Sequence, residues 1–153
     1  MTGDRATRVS ADDRRVHDAL RRCMIARIAT VSAEMEPLIM PLYFVAVEGR
    51  VYMNNSTTSP TVRNVEAHPR VLVLLTGRQG ELIEMRGTAR YVRDEATMRR
   101  VVRAALPKYV LRPRALWSWI RHLSRLPMRS RYVRERSSGS IEITPESYAI
   151  ASA

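Results

Sequence analysis

The chain is poor in cysteine, histidine, aromatics and lysine, and each shortage removes a class of protein. A single cysteine, Cys23, among 153 residues leaves no internal disulfide and no thiol spacing for a metal. It reads as a small apolar residue at a helix end. The three histidines, His17, His68 and His122, match no metal-ligand spacing and read as surface or capping residues, so no metal is expected. No Ser-His-Asp set can be assembled. No N-terminal apolar run resembles a signal peptide, and no run reaches the roughly 18 apolar residues of a membrane span. A cytoplasmic protein is the expectation. Only 6% of residues are aromatic, so aliphatic side chains must fill the core. Lysine occurs once, at Lys108. There are no internal repeats.

What is present is arginine. The formal charge is +11 and it is uneven: Arg99 to Arg136 holds twelve Lys/Arg residues against one acid, Glu135. Part of this bias fits a GC-rich genome. The remainder is a positive C-terminal third that favours anionic partners, such as a phosphorylated cofactor, acidic lipid or nucleic acid. The length suits one domain with a real core, read here as residues 1–153.

Hydrophobic periodicity divides the chain into short elements. Residues 1–9 are polar and read as loose. Ser10 to Asp13 looks like a helix N-cap with acids in the first turn, and Val16, Leu20 and Cys23 form one apolar stripe, giving a helix over about 11–23. Ile25 to Ser32 and Leu38 to Val47 read as strands joined by a turn at 33–36. Pro41 inside the second implies a bulge or an edge. Glu48-Gly49-Arg50 turns into a third strand, Val51 to Asn55, with Val51 and Met53 facing one way and Tyr52 and Asn54 the other.

Ser59 caps a short helix with Pro60 at its first position, ending near His68-Pro69. Arg70 to Thr76 is almost continuously apolar, which predicts a strand buried on both faces. Glu81 to Arg93 is the next strand, and Gly87 marks a bend or a close backbone approach. Asp94 and Glu95 open a helix with Met98, Val101, Val102 and Ala105 on one side, ended by Pro107. A further helix starts at Pro113 and stops at Pro127. Ser137-Ser138-Gly139 is a bend, Ser140 to Ile143 is a last strand, and Pro145 begins a tail. This order of elements describes a small β-barrel.

The chemistry-bearing stretch is the loop after the third strand, Asn54-Asn55-Ser56-Thr57-Thr58-Ser59, running into Pro60 and Thr61. Small hydroxyl and amide side chains at a helix N-terminus can hold a phosphate. Arg63 follows on the helix and either contacts the anion or pairs with an acid such as Glu66.

Several segments together resemble the pyridoxamine-phosphate-oxidase-like flavin-binding family. They are Ala26-Arg27-Ile28-Ala29-Thr30-Val31, Glu36-Pro37-Leu38, Pro41-Leu42-Tyr43-Phe44, Val51-Tyr52-Met53-Asn54, Ser59 to Val65, His68 to Val71, and Met85 to Ala89. The resemblance implies a mainly β (α+β) fold, a six-stranded antiparallel split β-barrel with flanking helices. It implies FMN, or in some branches the deazaflavin coenzyme, and a homodimer with cofactor sites at the interface. The ring would lie near Pro41, Leu42 and Tyr43. The phosphate would lie near Asn54, Asn55, Ser56, Thr57, Ser59 and Thr61, and Arg63, Arg86 or a C-terminal arginine of the partner subunit could supply a positive charge to it.

Two departures stand out. Family members often carry a lysine about where Thr61 stands. The oxidases proper carry basic residues on the second strand, where this chain has Leu38 and Tyr43. Both argue against pyridoxamine-phosphate oxidase activity itself.

The expected function is therefore a flavin- or deazaflavin-dependent oxidoreductase that moves a hydride to or from a small organic substrate. No acid or base is assigned a catalytic role. Alternatives are a non-catalytic flavin- or haem-binding barrel, or a barrel whose basic helix docks on anionic membrane or nucleic acid. That helix is the excursion at about 107–128, where Trp117, Trp119, Ile120 and Leu123 alternate with arginines. It reads first as a segment that borders the site with its arginines solvated.

Overall fold

The structure, a computed structural model, describes residues 6–110 and 139–151. The helix expected from Pro113, the rest of the basic excursion and His122 lie outside the described residues. The elements are β1 (Thr7–Val9), α1 (Arg14–Arg22), β2 (Ile25–Val31), β3 (Pro37–Val47), β4 (Arg50–Asn55), α2 (Pro60–Ala67), β5 (Arg70–Thr76), β6 (Leu82–Val92), α3 (Glu95–Ala105) and β7 (Gly139–Ala151). A π-type turn, Leu106–Val110, follows α3.

The described strands pair antiparallel in the order β7-β4-β3-β2-β5-β6, and β6 pairs back onto β7. That last ladder closes a six-stranded barrel, as expected. Local chemistry sets the connections. Glu48 and Gly49 both have positive φ (50° and 76°), the two-residue hairpin geometry whose twist matches the strands it joins. Between β2 and β3 the Ser32 hydroxyl accepts the N–H groups of Glu34 and Glu36 at 3.2 Å each.

Inward-facing side chains from every barrel strand form the core, with Ile28, Phe44, Met53, Ile83, Met85, Ile141 and Ile143 almost fully buried. Helix α2 joins this core through Val62 and Val65 and is tied to β2 where Asn64 Nδ2 donates to Thr30 Oγ1 at 3.1 Å. Helix α3 covers a second cluster, Val45, Tyr52, Val92 and Val101.

Several expectations are corrected. Residues 7–9 are not loose: they form β1 against Tyr148–Ile150. Helix α1 begins three residues later than expected because Asp13 is its cap, its carboxylate accepting from Arg15 N, so no acid lies in the first turn. β5 is not buried on both faces. Val71, Val73 and Leu75 enter the core, while Leu72 and Leu74 point outward and are half-buried. Val102 is 54% exposed on α3. The last strand does not stop before Pro145. It runs to Ala151, because Pro145 sits where the β6–β7 register shifts at Arg86/Gly87, and proline is tolerated at a bulge. Pro41 resolves as an edge: the β2–β3 register runs through it unbroken, and β4 pairs only with Phe44–Val47.

Candidate functional site

Strand β3 changes partner halfway along its length. Pro37–Tyr43 pairs with β2, and Phe44–Val47 pairs with β4. The β3–β4 ladder ends at the Phe44–Met53 pair. Tyr43 and Asn54 are the next residues on each strand, and there the strands part. Beyond that point β4 is paired only with β7, Asn54 opposite Ser140 and Asn55 opposite Gly139. The barrel is therefore split, with Pro41, Leu42 and Tyr43 on one lip and Asn54, Asn55 and the hydroxyl loop on the other.

On the β3 lip, Pro41 and Tyr43 are exposed and Leu42 turns inward onto the core. Tyr43 is 60% exposed and its ring meets Tyr109 edge to face, with centroids 5.7 Å apart. Tyr109 itself is clamped: its hydroxyl accepts Phe44 N–H at 3.0 Å and can donate to Met24 O at 2.8 Å. Next to it, the Lys108 ammonium lies 3.6 Å from the Phe44 ring centroid and donates to Leu20 O at 3.1 Å. The single lysine thus holds the turn after α3 against the barrel. Neither residue was singled out as a site residue; contacts 64 and more positions apart leave no periodic trace.

On the β4 lip the loop is folded on itself. Asn55 Oδ1 accepts Ser56 N–H at 2.9 Å, Ser56 Oγ and Thr58 Oγ1 are 3.1 Å apart, and the Asn55 carbonyl accepts from Tyr91 at 3.0 Å. Ser59 caps α2 as expected, its hydroxyl accepting Thr61 N–H at 3.2 Å, and Pro60 occupies the first turn. Thr57 is half-buried between them. Arg63 is exposed one turn into α2 and has no acid partner among the described residues; the pairing with Glu66 does not form.

Thr61 is the informative residue. It is fully buried, and its Oγ1 is the one buried side-chain polar atom without a hydrogen-bond partner among the described residues. Native structures rarely leave such a group unmade, since it costs about 1–3 kcal/mol. It sits at a helix N-terminus, where N–H groups and the helix dipole favour an anion.

Tyr52, beside the loop in sequence, faces the other way. Burial first, and the Glu142 carboxylate second, push its phenol up from its ordinary value. A cleft of about 1130 Å³ lies elsewhere: Arg8, His17, Arg70, Arg86 and Tyr148 line it, and none of the ten expected residues does. Asp12 and Glu146 interrupt its arginines, and the hydroxyl loop lies outside it. No group of three potential metal ligands occurs among the described residues, and no described helix is long and apolar enough to cross a membrane.

Residues 13–146 match the family model described as pyridoxamine 5'-phosphate oxidase. A comparison with curated proteins finds no match. Solved structures share the fold. A conserved hypothetical protein from Mycobacterium tuberculosis superposes with a TM-score of 0.71 at 17% identity, covering 98% of this chain and 89% of that one. A FAD-binding protein from Mesorhizobium loti gives 0.57 at 17% identity over 99% and 100% of the chains. An F420 reductase gives 0.56 at 17% identity over 85% and 92%.

Proposed function

From a chain that belongs to the pyridoxamine 5'-phosphate oxidase family, we propose a flavin- or deazaflavin-binding oxidoreductase that moves a hydride to or from a small organic substrate. The observation that carries the reading is the buried, unpartnered Thr61 hydroxyl at the α2 N-terminus, on one lip of the split. A phosphate there would give it a partner.

The residues divide the work. Asn55, Ser56, Thr57 and Ser59 supply amide and hydroxyl groups for the phosphate, with Thr61 beneath and Arg63 as the nearest cation along the chain. Pro41 and Tyr43 supply an exposed, rigid surface for a ring, and Asn54 stands at the mouth between the lips. A cofactor held there would supply the hydride chemistry, and the protein would orient it and set the local charge. Two copies of the chain would join over the outer face of β2, β3 and β5, placing a site at each interface. Leu38 and Tyr43 in place of basic side chains argue against pyridoxamine phosphate as substrate.

The deciding experiment is a fluorescence titration with FMN and with the deazaflavin coenzyme, comparing wild type with Thr61→Val. Removing an unsatisfied hydroxyl leaves the fold as stable as before or more so, while cofactor affinity falls about tenfold, the worth of one hydrogen bond to a charged group. Unchanged affinity in a folded Thr61→Val protein would move the phosphate away from α2. Absence of binding by wild type at tens of micromolar would sink the cofactor reading.

A second reading is binding without turnover. It is favoured by the site residues themselves, none of which is a carboxylate, histidine or lysine. Tight binding with no oxidation of the reduced cofactor by a panel of small electrophiles would select it.

A further inference from the structure

Arg27 occupies a position that the fold does not explain. It lies at the centre of β2, in register with Pro41 on one side and Leu74 on the other. Residues in register share a face of the sheet, so its neighbours can be read off. Along β2 they are Ile25 and Ala29. Across β3 they are Pro41, flanked by Tyr43 and Ile39. Across β5 they are Leu74 and Leu72. Ile25, Ile39 and Tyr43 are exposed by 48%, 57% and 60%. A guanidinium thus projects from the middle of an apolar, uncovered face.

It has no partner of its own. Among the described residues no acid lies within salt-bridge distance of Arg27 and no hydrogen bond satisfies it. The acid in the same row is Glu84, beyond Leu74 on β6, and it is paired with Arg86 at 3.6 Å. Arg70 and Arg86 also border this face, and Arg70 is paired with Glu146 at 3.2 Å. An uncompensated cation among apolar side chains is costly once anything covers the face, unless the covering group brings an anion.

Resting on the cofactor reading above, we propose that Arg27 is the cation that faces the bound ring and stabilises its reduced, anionic form. Its cross-strand neighbour Pro41 is the residue assigned to the ring, and Tyr43 is the next residue on that face. A hydride carries two electrons and one proton, so its transfer to a neutral ring leaves one added negative charge there and one added positive charge on the donor. Arg27 meets that negative charge. No other cation shares the apolar rows of β2 and β3, and Lys108 is held over Phe44.

The test compares wild type, Arg27→Gln and Arg27→Lys. Each is titrated with oxidised FMN and with FMN reduced by dithionite, and the ratio of the two dissociation constants is taken. In Arg27→Gln the preference for reduced FMN falls about tenfold, equivalent to about 30 mV for a two-electron couple. Arg27→Lys keeps most of it. Sedimentation of the same samples monitors assembly. If FMN binds and the ratio is unchanged in Arg27→Gln, the assignment is overturned. The same holds if that variant only loses its self-association, since Arg27 then faces a protein carboxylate. If wild type binds neither flavin nor deazaflavin, the parent reading fails and Arg27 loses this role with it.

Discussion

Glu142 shows what one residue can contribute while staying outside the site. It is 4% exposed on β7, yet it is an acid. Arg90 Nε donates to Oε1 at 2.7 Å, Tyr52 donates to Oε2 at 3.0 Å, and Arg50 lies 3.4 Å away. Burial alone would raise its pKa. The hydrogen bonds from Arg90 and Tyr52, with the two positive charges, outweigh burial and hold it below the ordinary 4.5. A depressed carboxylate pKa contributes stability that is present above the unfolded value and is lost as pH falls through the folded one. Both arginines keep much of their surface in water, so the gain is modest. Glu142→Gln is expected to cost about 1–2 kcal/mol at pH 7. The difference from wild type should shrink below pH 4.5. Urea denaturation at pH 7 and at pH 3.5 checks this, and a gap that stays constant across the two would show the charge to be irrelevant.

At the scale of elements, the legible parts of the fold were those whose signal is local. Ser59-Pro60 announces a helix start, Glu48-Gly49 a tight hairpin, and the spacing of Val16 and Leu20 a helix face; all three stand. The candidate loop was legible for the same reason, since its hydroxyls are contiguous. Long-range pairing left no such mark. Thr7–Val9 becomes a strand only because β7 offers a free edge beside Tyr148–Ile150. Pro145 reads as a terminator until the β6–β7 bulge is known to receive it. Leu72 and Leu74 look like core because nothing in β5 alone reveals that its outer face lacks a cover. Gly87 was the clearest single-residue clue to this region. A Cβ there would lie 2.3 Å from Thr144 O, a backbone atom that cannot swing aside. Gly87→Ala must therefore push β6 from β7 at the bulge, at a cost of about 1–3 kcal/mol. Thermal unfolding measures it. A melting temperature equal to wild type would mean that the two strands already have slack.

For the whole molecule, the chain's +11 charge makes self-association unfavourable unless an apolar face offsets it. The outer face of β2, β3 and β5 is such a face: Ile25, Ile39 and Tyr43 are exposed, and Leu72 and Leu74 are half-covered. A stable homodimer needs about 800 Å² from each partner, and three adjoining strands ending at the Tyr43 lip offer a continuous surface. The proposed dimer would bury Arg27 from both copies in a poorly solvated interface. Like charges there oppose assembly until an anion joins them, so cofactor binding and dimerisation should be coupled, each strengthening the other. Ile39→Lys separates the two effects. Ile39 is 57% exposed in the single chain, so its replacement leaves the protomer's stability within about 0.5 kcal/mol of wild type. It places a further cation in the interface, so the variant should sediment as a monomer and bind FMN more weakly. Adding FMN should shift wild type toward dimer and should shift Ile39→Lys less. A variant that dimerises like wild type would remove this face from the assembly, and one that turns monomeric with full FMN affinity would place the cofactor within a single chain.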